Sequence, residues 1–329
     1  MPSDTPSAVP LHIVVLDAFT VTREQPQLWS SLLAEALPGA TVAVYDRTPA
    51  AQVAARCAGA DAVLTNKAVL SRELIESLPR LRYIGVLATG YNVVDVACAR
   101  AHGITVTNIP AYSTASVAQH VFALLLDATN SVGHYAVQRE RWVAAPDFSW
   151  SDTPLTELAG KRFGILGMGS IGQAVARIAM AMGMQVSAVS SKQQEALPAG
   201  VEKVAWTTLL RESDVLSLHC PLTPATRHIV SASALAAMKP QAVLINTGRG
   251  PLVDEQAVAD ALSEGRLGAY CADVLSTEPP APSNPLLTAP RCHITPHIAW
   301  ATAEARGRLL RTAIANVAAF ACGRPQNTV

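Results

Sequence analysis

RFGILGMGSIGQAVARIAMAM, residues 162–182, is a short apolar run, a glycine-rich turn and a helix-patterned stretch in direct succession. Gly167, Gly169 and Gly172 stand in GxGxxG spacing at the turn. The first glycine permits a tight turn after a strand, the second lets backbone N–H groups approach a pyrophosphate, and the third lets helix and strand pack closely. The positive end of the helix then faces the anion. In a chain with 19 glycines the spacing alone is a weak signal. Its setting between an apolar strand and a helix, with another strand to follow, predicts a dinucleotide site.

The strand after that helix, QVSAVS (185–190), ends in Ser190-Ser191-Lys192. Dinucleotide sites that take NAD usually place Asp or Glu there to accept a hydrogen bond from the ribose 2′-hydroxyl. Two hydroxyls and an ammonium suit a 2′-phosphate better, since a carboxylate would repel it. NADP is therefore the expected cofactor, with NAD the alternative if these residues form only a solvated turn.

Outward from this core, β-like runs alternate with helical patterns, the signature of βαβ units and parallel sheets. LHIVVL (11–16), TVAVY (41–45), DAVLT (61–65), YIGVLA (83–88) and ITVTN (104–108) form a first series. RFGILG (162–167), QVSAVS, VLSLH (215–219), AVLIN (242–246), AYCADV (269–274) and CHITP (292–296) form a second, fuller one. The expected fold class is α/β, with two Rossmann-like, doubly wound parallel sheets. TASVAQHVFALLLDATN (114–130) is a helix too apolar for a lone surface position. Residues 142–154 read as an irregular arm, 278–290 as a Pro-rich loop, and 302–321 as a closing helix.

Lys+Arg and Asp+Glu are 25 each in 329 residues, so no net field favours nucleic acid or anionic lipid. Half of the residues are hydrophobic and 15% are charged, enough to bury large cores in two domains. The opening MPSDTPSAVPLHIVVLDAFT has no basic n-region and only a short apolar run, which argues against a signal peptide or membrane span and for a cytoplasmic location. Six cysteines lie scattered without a CxxC pair or zinc-finger spacing, so reduced thiols and no metal site are expected.

Three polar residues follow strands of the second series, at the sheet edge where open α/β sheets bind ligands. Arg249, in NTGRGPLVD, has the guanidinium geometry to grip a carboxylate through two parallel hydrogen bonds. Glu278 opens the Pro-rich loop, and His297 stands in TPHIAWAT. Taken singly, each also reads as a solvated or structural residue.

TGRG, the Glu-Pro after a DV strand, and PHIAWAT resemble, in that order, the signatures of the D-isomer-specific 2-hydroxyacid dehydrogenases. LATGYNVVD (87–95), TNIPAYSTASVAQH (107–120), GMGSIG and LHCPLTPATRH (218–228) extend the resemblance over nearly the whole chain. TNIPAYSTASVAQH, with Gln119 where many members have Glu, and the Trp of PHIAWAT are most similar to the glycerate dehydrogenase/hydroxypyruvate reductase branch.

The resemblance implies a discontinuous substrate domain (1–104 plus 297–329) interrupted by a dinucleotide domain (105–296). It implies that His297 is the acid/base, that Glu278 pairs with it, and that Arg249 orients the 2-oxo acid and polarises its carbonyl. A nearby carboxylate favours imidazolium. Ala88, Thr89 and Gly90, with Asn92, would meet the substrate carboxylate. Ser170 and Ile171 fall at the pyrophosphate, Pro221 beside the adenosine, Thr247 along the dinucleotide, Asp273 on the nicotinamide carboxamide and Val117 near the nicotinamide ring. Trp300 would wall a small pocket or reach a neighbouring subunit.

The implied activity is reduction of a small 2-oxo acid, hydroxypyruvate or glyoxylate, by a homodimer joined through helix 114–130 and the arm. The alternatives are a bulkier 2-hydroxy acid and, from another class, a corepressor-like protein that senses the dinucleotide.

Overall fold

The structure is a computed structural model that describes residues 10–23 and 25–329. Expectations drawn from the first nine residues fall outside the described part. The chain divides into two compact units, one running to Tyr112 and resuming as Ala301–Val329, the other Ser113–Trp300.

The first unit holds β1 (His12–Val15), β2 (Thr41–Val44), β3 (Ala62–Thr65), β4 (Tyr83–Val86) and β5 (Thr105–Thr107) in the order β2-β1-β3-β4-β5. Every ladder between these strands is parallel. The sequence runs are β-branched and unbroken because central strands of a parallel sheet are covered on both faces, and β3 and β4 are buried at every residue. The closing helix Ala303–Ala321 buries Leu309 and Val317 and caps its own N-terminus through Thr302.

The second unit is a seven-stranded sheet of β6 (Arg162–Leu166), β7 (Gln185–Val189), β8 (Val201–Lys203), β9 (Val215–Leu218), β10 (Val243–Asn246), β11 (Ala269–Ala272) and β12 (Cys292–Ile294). Its order is β12-β11-β10-β9-β6-β7-β8, again parallel throughout. The direction of strand progression reverses between β6 and β9, the point at which such sheets bind ligands. The helix Thr114–Asn130 has the expected bounds. It packs inside this unit, with Val121 and Leu125 fully buried in the core that includes Phe163 and Ile165. Burial of each such side chain is worth about 1.5–3 kcal/mol.

Three details differ from the expectation. The strand β8 is absent from the sequence reading: it is three residues long, and Glu202 and Lys203 give it the charged character of a sheet edge. Two short helices, Val132–Ala136 and Arg139–Val143, precede the arm read at 142–154, and the second runs into its first two residues.

The unit boundaries also fall later than residues 104 and 297. Asn108 and Ile109 still hydrogen-bond within the first unit, to the carbonyls of Asn327 and Ala88. Ile298 and Ala299 bond to Asp273 of the second. His297 therefore lies in the second unit, because its loop is tied down there.

Candidate active site

At the turn after β6, Gly167 has φ +100, a backbone conformation that side chains rarely tolerate, and a Cβ there would meet His219 and Cys220 backbone at 2.6 Å. A Cβ on Gly172 would lie 2.1 Å from the Gly167 carbonyl oxygen, so helix and turn approach as closely as the motif requires. Gly169 has open space at its Cβ position. The helix Ser170–Ala181 makes its first internal bond from Gln173 N to Gly169 O, leaving the Ser170, Ile171 and Gly172 amides without helical acceptors. Ser170 is exposed, whereas the Ile171 side chain packs against the core.

Ser190, Ser191 and Lys192 follow β7, with Ser190 Oγ accepting from the Lys192 amide at 3.1 Å. Lys203, at the end of β8, donates from Nζ to the Lys192 carbonyl at 2.6 Å. Gln194 clamps both ends of β8, accepting from Lys203 N and donating to Val201 O. The structure thus adds a second ammonium to this loop, one the sequence reading missed because it did not recognise β8.

β10, β11 and β12 are successive neighbours, so the loops that follow them emerge at one edge of the sheet. Arg249 is exposed after β10, with Nη1 donating to its neighbour's carbonyl, Gly248 O, at 2.8 Å. Asn246, fully buried and not singled out in the sequence, stitches this turn by donating to Arg249 O and accepting from Gly248 N. A Cβ on Gly250 would lie 2.0 Å from the Leu275 carbonyl carbon, so the β10 and β11 loops are in backbone contact. Glu255, also unanticipated, braces the second loop by accepting from Ser276 N and Asn284 Nδ2.

Glu278 Oε1 accepts from Leu275 N at 3.1 Å, and Glu278 Oε2 lies 2.6 Å from His297 Nδ1. The two side chains are about one-third exposed, at 33% and 29%. A carboxylate accepts only, which puts the Nδ1 proton of His297 toward Glu278 and leaves Nε2 as the atom that faces away.

His297 has φ +53, in the left-handed region, and its loop is held on several sides. Asp273, 1% exposed, accepts from Thr295 Oγ1 (2.6 Å), Ile298 N (2.8 Å) and Ala299 N (2.8 Å). Trp300 Nε1 donates to His297 O at 3.0 Å. Besides the places expected of them, Asp273 at the nicotinamide carboxamide and Trp300 at a pocket wall or a neighbouring subunit, both side chains fix the histidine turn. The reason is local, since a non-glycine residue in the left-handed region needs its neighbours' amides anchored.

Of the remaining residues expected at the dinucleotide, Val117 is 6% exposed on the helix Thr114–Asn130, and Pro221 is exposed after β9 with its carbonyl accepting from Thr226 Oγ1. Thr247 Oγ1 is buried with no hydrogen-bond partner. An orphaned hydroxyl at the carboxyl end of β10, free helix-terminal amides and open space at Gly169 fit a dinucleotide. Burial holds the neighbouring His219 imidazole neutral, with its pKa lowered to about 4.

In the first unit, the loop after β4 is fixed by Thr89 Oγ1 donating to Ile109 O and Asn108 Nδ2 donating to Thr89 O. Thr89 and Asn92 are exposed, Ala88 and Gly90 half-buried. Among the described residues no helix is long and apolar enough to cross a membrane, and no three His, Cys, Asp or Glu side chains converge on a metal-sized site.

Comparison with known proteins agrees with this geometry. Residues 122–299 match the family model "D-isomer specific 2-hydroxyacid dehydrogenase, NAD binding domain". The hydroxypyruvate reductase of Blautia hydrogenotrophica is 46% identical over 97% of this chain and 99% of its own. The glycerate dehydrogenase of Methylorubrum extorquens is 40% identical over 84% and 88%. An acyclic imino acid reductase solved with NADPH and D-Arg superposes with a TM-score of 0.86 at 29% identity, covering 97% of this chain and all of that one. With the fold, the glycine turn and the His297–Glu278 pair in place, the chain belongs to the D-isomer specific 2-hydroxyacid dehydrogenase family.

Proposed function

We propose that this chain reduces a small 2-oxo acid, hydroxypyruvate foremost and glyoxylate second, to the D-2-hydroxy acid. The observation that carries the reading is the 2.6 Å contact between His297 Nδ1 and Glu278 Oε2. Held by the carboxylate at Nδ1, the imidazole presents Nε2, from which a proton passes to the substrate's carbonyl oxygen in reduction and returns in oxidation. Arg249 is exposed, with only Nη1 engaged, so its other donors are available for the substrate's carboxylate and carbonyl. By the family resemblance, the backbone of Ala88-Thr89-Gly90, with Asn92, is assigned to the substrate carboxylate as well. A bound nicotinamide supplies the hydride. The activities of the two curated relatives support this substrate class.

NADP is the proposed cofactor. Ser190 is followed by Lys192, Lys203 reaches the same loop, and no carboxylate stands at the 190–192 positions. Ser170, Ile171, Pro221, Thr247 and Val117 are assigned to the dinucleotide. The proposed assembly is a homodimer. Val137 (83%), Val143 (86%) and Phe148 (86%), in and just before the arm, are exposed, and Phe148 lines an apolar hollow of about 750 Å³ that a second copy would cover. Six unpaired cysteines favour a reducing, cytoplasmic setting.

The test is an assay of the purified protein on hydroxypyruvate, glyoxylate, pyruvate and 2-oxoglutarate with NADPH and NADH in parallel, and chiral analysis of the product. Oxidation of NADPH by hydroxypyruvate with D-glycerate formed is the expected result. L-glycerate, or no turnover on any of the four acids, overturns the assignment.

A further inference from the structure

We infer that His120 is a positioning residue for His297, acting through Thr295 and Asp273. His120 lies on the helix Thr114–Asn130, and its Nε2 is 2.8 Å from Thr295 Oγ1 and 3.5 Å from Asp273 Oδ1. Proton accounting fixes the direction of the chain. Thr295 has one hydroxyl proton, and its best acceptor is Asp273 Oδ1 at 2.6 Å, with Ala272 O at the outer limit of 3.4 Å. Thr295 Oγ1 must then receive from His120, so the imidazole carries its proton on Nε2.

The series runs from His120 Nε2–H to Thr295 Oγ1–H to Asp273 Oδ1. Asp273 in turn holds the Ile298 and Ala299 amides, the two that directly follow His297. These bonds hold His297 at its positive φ and aim its ring at Glu278. Asp273 is buried at 1% exposure and the His120 side chain is 18% exposed, so water does not replace a lost donor freely. Without the Nε2 proton, Thr295 is free to turn its hydroxyl away, and the carboxylate loses its fixed orientation.

This inference rests on the assignment of His297 as the proton donor, and the experiment separates the two. Steady-state turnover of hydroxypyruvate is measured for wild type, His297→Ala, His120→Leu, His120→Gln, Thr295→Val and the His120→Leu/Thr295→Val double variant, with cofactor dissociation constants from NADPH fluorescence. His120→Leu should lower kcat about tenfold while the NADPH dissociation constant changes less than twofold. Glutamine, which presents an N–H at similar reach, should restore kcat to within about threefold of wild type. Since both single variants break one chain, the double variant should be no slower than the worse single.

Wild-type kcat in His120→Leu, failure of glutamine to restore activity, or multiplying losses in the double variant overturns the inference. If His120→Leu does not fold, Thr295→Val against Thr295→Ser asks the same question of the chain's middle member, and equal rates for these two overturn it. Undiminished activity in His297→Ala removes the underlying assignment instead.

Discussion

His297 Nδ1 and Glu278 Oε2 stand 2.6 Å apart although they follow different strands, because β11 and β12 are parallel neighbours whose loops leave the sheet at the same edge. With the carboxylate replaced by an amide, the imidazole loses an oriented, charged partner. Glu278→Gln should lower kcat/KM by about 10–100-fold, and His297→Ala by about 10²–10⁴-fold, the usual worth of a positioned acid/base. Steady-state kinetics on hydroxypyruvate checks both, and an unchanged His297→Ala enzyme contradicts the role.

Gly169 and Gly172 separate cofactor binding from stability. Gly169→Ala meets open space and should leave the melting temperature within a degree or two, yet weaken dinucleotide binding severalfold by obstructing approach to the amides. Gly172→Ala meets the Gly167 carbonyl oxygen at 2.1 Å and should lower the melting temperature by several degrees, as overpacking costs about 1–3 kcal/mol. Calorimetry with a fluorescence titration reads both.

Lys192 and Lys203 should act on the 2′-phosphate and not on the rest of the dinucleotide. Alanine at either position should reduce the NADPH-to-NADH ratio of kcat/KM about 3–10-fold, with NADH values nearly unchanged, and Ser190→Asp should reverse the preference through charge repulsion. A ratio indifferent to all three substitutions contradicts the cofactor assignment.

His219 gives the chain a defined acid sensitivity. Its folded-state pKa is depressed to about 4 from an ordinary 6.5 by burial, so between those values the unfolded chain binds the extra proton. The stability associated with the neutral imidazole is complete above pH 6.5 and is lost as pH falls toward 4. Over that window the melting temperature of His219→Gln should fall less steeply than that of wild type in parallel thermal scans.

The exposed apolar side chains of the arm predict a concentration-stable dimer. Solution scattering at micromolar concentration should give twice the 34.5 kDa chain mass, and the double variant Val143→Glu/Phe148→Glu should give the single mass. A monomeric wild type contradicts the proposal.

The sequence by itself determined the class of fold and the dinucleotide turn. Both are read locally: unbroken β-branched runs suit only strands covered on two faces, and the GxGxxG spacing lies within one turn and its helix, where Gly172 packs against the Gly167 carbonyl. It also contained Arg249, Glu278 and His297, though only the family resemblance joined them. Tertiary structure decided what depends on strand order and buried polar pairing. It placed β10, β11 and β12 side by side, brought Lys203 to Lys192 through an edge strand of three residues, and turned Asp273 and Trp300 into anchors of the histidine loop. It also linked His120 to Thr295 across 175 positions of sequence. A hydrogen bond between residues so far apart leaves no periodic trace in the chain, because its partners are selected by the packing of a helix against a sheet edge.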